Sequence, residues 1–231
     1  MAVLDVIQDA AKYLGIAIPD QVFASDDVEA VELAEVANDA AAMISDEHDW
    51  QLLKRLWTIT GDGAASAFDL PADWLRMPKA QDVWSSRLET PLTHALDHNE
   101  WLRLEVQAAD VILNVWTVLE GQMAFRPAPE IGETIKLYYQ SRLLANDGTA
   151  NVEAFTADSD TFRLDDRLLK WGIVWTWKAQ KGLAYVEDLA KFNDVLGRRI
   201  AEDKGAKMIA IGSRRLSSDA RVSYPRSITV P

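Results

Sequence analysis

Apolar residues recur at helical spacing near both ends of this chain and alternate along its middle, and that change of period restricts the fold more than any single motif does. Val3, Val6, Ile7, Ala10, Ala11 and Leu14 share one helical face, with Gly15 placed as a stop, so a helix is predicted over 3–14. Beyond the linker "IAIPDQVFA", Ser25, Asp26 and Asp27 suit a helix N-terminus. A stripe of Leu33, Ala37, Ala40 and Ile44, widened by Val36, Ala41 and Met43, then carries a long helix over 26–47. Its alanines permit close packing, and its outer face is acidic. Toward the other end, Leu168, Trp171, Trp175 and Ala179 form a stripe with Leu169, Ile173 and Trp177 beside it, predicting a helix over 165–181. Val186, Leu189, Phe192, Leu196 and Ile200 predict another over 186–204, with Gly182 as the break, and these two should pack antiparallel.

Residues 51–141 read as β-rich. Leu52 to Thr60 is a strand, "GDG" at 61–63 a turn, and "AFDL" the return strand of an expected hairpin. "WLRMPKAQDVW" is a strand broken by Pro78, which argues for an edge or a bulge. "HNEWLRLEVQ" suits a short helix, while "NVWTVLEGQMAF" and "ETIKLYYQS" are two strands divided by the turn-rich "RPAPEIG". The expected class is therefore α+β: a helical bundle, made of the long acidic helix plus the C-terminal helix pair, with an antiparallel β-rich insertion. With 231 residues, one domain over 1–207 can bury a sizeable core. Residues 208–231 are rich in Ser and Arg, lack any stripe and are read as an extended C-terminal arm that cannot build a core.

Charge sharpens the division. The net charge is −12, yet the first fifty residues set twelve acids against Lys12 alone, whereas Lys204 onward sets six basic residues against Asp219. An acidic body argues against wrapping nucleic acid, and a basic tail could bind nucleic acid or an acidic protein surface. The absence of cysteine excludes disulfides and thiolate metal sites. No apolar run reaches the ~20 residues needed to cross a bilayer. Asp5 and Asp9 stand where a signal peptide would be apolar, so the protein is expected to stay in the cytoplasm where it is made, away from membranes.

Candidate chemistry is sparse. "HALDH" spaces His94 and His98 as two imidazoles sharing a metal on one helical face would be, but Ala95 stands where a zinc hydrolase helix carries its Glu, and Pro91 disfavours a helix there. Surface histidines in a loop are the plainer reading. His48 and Asp49 are sequence neighbours that do not face each other on a helix, and "GDG" lacks the Lys and Ser/Thr of a phosphate loop. No cofactor is expected. Nine tryptophans are read as core or subunit-interface residues, because those at 171, 175 and 177 follow a helix and Trp50, Trp57, Trp74 and Trp84 flank strands amid mixed charge. "AFDLPADW" is a structural corner: Phe68 and Leu70 in a strand, Pro71 fixing the turn, Asp73 bonding the turn backbone, Trp74 opening the next strand.

The long acidic helix ending in "HDWQLL", followed by "WTITGDGAASAFDLPADWLRM", strands, two closing helices and a polar tail, resembles the head-to-tail adaptor (connector) proteins of tailed bacteriophages. A Trp-Leu pair after the long helix and an "LPxDW/F" corner recur in them. "HALDH" and residues 144–161 have no counterpart in that pattern. The resemblance implies a non-enzymatic virion protein at the neck: a ring of roughly twelve subunits beneath the portal, above a tail or nozzle protein, with DNA passing through without specific binding. It further implies that Arg214, Arg215, Arg221, Tyr224, Arg226, Ile228 and Val230 contact the portal. Asp27, Glu32, Glu35 and Asp39 could face the channel and repel DNA phosphates. Two other readings remain open here: a metal-dependent or cell-wall hydrolase of the neck using "HALDH", and a DNA-binding accessory using the basic tail.

Overall fold

The computed structural model describes residues 1–79, 81–95, 97–106 and 114–203, of which 104 and 105 are described by backbone alone. The expected arm, including its seven portal-contact residues, lies outside the described residues. In chain order the elements are α1 (Val3–Leu14), α2 (Val28–Glu47), β1 (Lys54–Thr60), β2 (Ala67–Asp69), β3 (Trp74–Arg76), β4 (Trp84–Ser85), β5 (Thr93–His94) and α3 (His98–Val106). There follow β6 (Val115–Leu119), β7 (Gln122–Arg126), β8 (Thr134–Ser141), β9 (Ala145–Asn146), β10 (Asn151–Val152), β11 (Thr161–Phe162), α4 (Asp166–Gln180) and α5 (Val186–Asp203).

The helices form where an apolar stripe can be buried. In α1, Val3, Val6, Ile7, Ala10 and Ala11 are buried, and the helix closes on Gly15, whose φ of 73° suits a residue without Cβ and whose N–H donates to the Ala11 carbonyl. The α2 stripe from Leu33 to Ile44 packs on α4, and α1 packs on α4 as well. Asp165 caps α4 by accepting from the Leu168 N–H at 2.8 Å. After the break at Gly182, α5 runs back antiparallel along α4: Asp188 meets Lys178, Phe192 meets Trp175, and Arg199 reaches Asp165. Val186, placed on the α5 stripe by periodicity, instead stands 72% exposed because it opens the helix beyond the end of α4.

Two buried clusters result. One joins the helices to Leu144, Ala145, Phe155 and Phe162, and the other lies between the sheets around Ile59, Trp116, Met123, Phe125, Ile135 and Leu137. The segment 144–161, unassigned by sequence, holds most of the small sheet β10-β9-β11, which ends at Phe162 and extends the β-rich part past 141. This segment clamps the helices: the Val3 N–H donates to the Asp160 carbonyl, and the Val22 and Phe23 N–H groups donate to the Asp158 carboxylate at 3.0 and 3.1 Å.

Three strand expectations are corrected. The β1–β2 hairpin does not form, since β1 pairs with β8 over seven residues while β2 pairs with β7 in another sheet. The eight-residue β8 offers a far longer ladder than the three residues of β2, and Gly61 extends that ladder by donating to the Glu133 carbonyl at 2.8 Å. "NVWTVLEGQMAF" is two strands, because Glu120 and Gly121 take φ of 50° and 79° and turn β6 back onto β7. The β-rich part is also not purely antiparallel: β5 runs parallel to β6.

Candidate functional site

Among the described residues, the side chains selected by sequence lie mainly in three places. The first is the corner. Phe68 lies in β2, Leu70 follows it and donates its N–H to the Gly121 carbonyl, and the Trp74 N–H closes the turn on the Pro71 carbonyl at 2.9 Å. The Asp73 carboxylate engages its own backbone N–H in the turn and also reaches across the sheet. It accepts from the Tyr139 hydroxyl and the Ser141 hydroxyl, both at 2.7 Å, and pairs with Arg55 at 3.1 Å. Trp74 stacks on Tyr139 at 5.2 Å and meets Trp57 edge-on at 6.0 Å. The corner thereby ties β1, β3 and β8 together around one carboxylate.

Electrostatics at this hub follow from that geometry. Burial opposes ionisation of Asp73, but the bonds from Tyr139 and Ser141 and the charge of Arg55 outweigh it and hold the carboxyl below its ordinary range. Burial, together with the bond to Asp73 and its charge, raises the Tyr139 phenol to about 12.

The second place is the junction between the helices and the sheets, from which the chain continues toward its basic tail. His48 Nε2 lies 3.1 Å from the Asp203 carboxylate, which also accepts from the Gln51 N–H. Asp49 pairs with Arg76 and accepts from the Lys79 N–H at 2.8 Å. Burial again works against the charge on Asp49, and the Lys79 and Arg76 contacts overcome it to lower its pKa. The imidazole of His48 thus faces the end of α5 and an edge of Trp50, rather than Asp49. Sequence reasoning missed this pairing, since 155 residues separate its partners.

The third place is the acidic helix. Asp27, Glu35 and Asp39 are exposed, whereas Glu32 is half-buried and paired with Lys181 at 2.5 Å, so its charge is neutralised within the subunit. His94 and His98 fall on different elements: His94 sits in β5, stacked on Trp116 at 4.1 Å, and His98 opens α3. Desolvation against its surroundings lowers the His94 pKa. Among the described residues no group of three or more His, Asp or Glu could hold a metal ion, and no helix is long and apolar enough to cross a membrane.

These features define a two-part α+β body built for packing and surface contact. The chain belongs to the SU10 adaptor protein family, which matches residues 1–221, a family of phage head-tail adaptors. It is accordingly a structural adaptor of the virion neck, working between head and tail. No curated protein matches the chain.

Proposed function

We propose that the protein forms a ring beneath the portal, docks through residues 208–231, and continues the DNA channel between capsid and tail. The observation that carries this reading is the family match across nearly the whole chain, joined to a charge division in which an acidic body ends in a basic, stripe-free tail. Such a tail gains order when a partner supplies the other surface, and Ile228 and Val230 suit addition to a sheet edge. Arg214, Arg215, Arg221 and Arg226 supply charge for the same contact, with Tyr224 as an amphipathic anchor. Asp27, Glu35 and Asp39 line the channel in this reading and keep the duplex sliding by repelling its phosphates. The ring has roughly twelve subunits and a tail protein below.

Deletion of the residues after Gly212 tests it. The truncated protein is expected to keep its melting temperature and to lose co-sedimentation with portal-bearing capsids. Normal attachment of the truncated protein would overturn the reading.

A further inference from the structure

The outer face of the central sheet carries large apolar side chains that stand exposed among its polar ones. Strand register puts Leu56 opposite Tyr138 and Trp84 opposite Lys136 on that face, and these three apolar side chains are 53%, 47% and 47% exposed. The neighbouring positions on the same face are Lys54, Thr58 and Thr60, so its charged residues are basic and its strand positions carry no acid. A second uncovered apolar cluster sits at the opposite end of α2. There the Glu32–Lys181 pair brings the N-terminal part of α2 to the α4–α5 loop, and Val28, Leu183, Tyr185 and Val186 are 70%, 50%, 37% and 72% exposed. Its exposed flanking charges are Asp26, Asp27, Glu29 and Glu187, while the flanking cation Lys181 is paired with Glu32.

The two patches match each other in character: apolar centres, one with a basic rim and one with an acidic rim. They cannot meet within one subunit. The twenty residues of α2 separate them, which at 1.5 Å per residue is about 30 Å. Two different, complementary surfaces on one molecule make a head-to-tail contact, which closes into a ring when the rotation between copies allows. We propose that the Leu56–Tyr138–Trp84 sheet face of each subunit docks on the Val28–Leu183–Val186 helical tip of the next copy. This rests on the ring reading above and names the surfaces that would build it. Trp84 is then an interface residue, which accounts for a tryptophan left half in water.

The chain has no cysteine, so engineered pairs report contacts cleanly. The full-length protein carrying both Tyr138→Cys and Val186→Cys, treated with a short bismaleimide, is expected to give a ladder of dimers, trimers and larger species. Either single variant is expected to remain monomeric after treatment, while an equimolar mixture of the two gives dimers and nothing larger. Leu56→Glu is expected to raise the concentration needed for ladder formation at least tenfold with no change in melting temperature. Dimers from the Tyr138→Cys variant alone would show a face-to-face contact and overturn the proposal. A double variant that stays monomeric at every concentration and on portal-bearing capsids would overturn it too. A truncated chain that still forms the ladder but fails to dock, or the reverse, separates this inference from the one about the tail.

Discussion

Asp73 is the residue on which the β-rich part turns. Its side chain is only 15% exposed and is held by a phenol and a hydroxyl from β8 and a guanidinium from β1. Asp73→Ala would strand those three groups together, and a loss of about 3 kcal/mol is expected, read as a fall in thermal or denaturant midpoint. Tyr139→Phe removes one bond and leaves the aromatic stack, so about 1 kcal/mol is expected. The phenol offers an optical check. Because its pKa is raised to about 12 in the folded state, its contribution is complete below its ordinary value near 10 and is lost as pH rises through about 12. An absorbance titration should show one tyrosine ionising late, and Asp73→Asn should bring it earlier.

Among elements, the contact between α2 and α4 is a close one. A Cβ on Gly172 would lie 3.1 Å from the Ala40 Cβ, 3.6 Å from Ile44 and 3.7 Å from Phe192, so the helices meet where both sequences are small. Gly172→Leu is expected to destabilise by roughly 1–3 kcal/mol through overpacking, measured by chemical denaturation. The clamp at 145–162 depends on Asn38, whose amide accepts from the Phe155 N–H at 2.8 Å and donates to its carbonyl at 3.3 Å. Asn38→Ala should cost about 1–2 kcal/mol and raise amide exchange around Phe155 before the rest of the protein opens.

For the whole molecule, buried and half-buried carboxylates set the response to acid. Asp73, Asp49, Glu133 and Asp188 are each desolvated, yet each is held below its ordinary pKa by donors: Tyr139 and Ser141, Lys79 and Arg76, Ser85 and Arg87, Lys178 and Tyr13 respectively. A lowered folded-state pKa contributes stability that is present above the unfolded value near 4 and is lost as pH falls through the folded one. Melting temperature is therefore expected to drop steeply below about 4, after a smaller decline as pH falls through the ordinary histidine range, where the lowered pKa of His94 opposes the folded state. A protein equally stable at pH 3 and pH 7 would contradict this account.

The helices were legible because the stripes Val3–Leu14, Leu33–Ile44, Leu168–Trp177 and Leu189–Ile200 each encode burial at a 3.6-residue period within a few turns. The corner at 67–74 was legible for a similar reason, since Pro71 and the strand ends are local signals. Strand partners were not: alternation says that Lys54–Thr60 has two faces, but not that Thr134–Ser141, some eighty residues on, supplies its ladder in place of the adjacent Ala67–Asp69. The partners of Asp73, His48 and Glu32 were hidden likewise, because a carboxylate or imidazole binds whichever donor the fold delivers. Local periodicity and turn chemistry suffice for the helical segments, the corner and the uneven charge; which strands pair, which charges are neutralised and which apolar side chains face water come from the folded chain, since those depend on contacts between residues far apart in sequence.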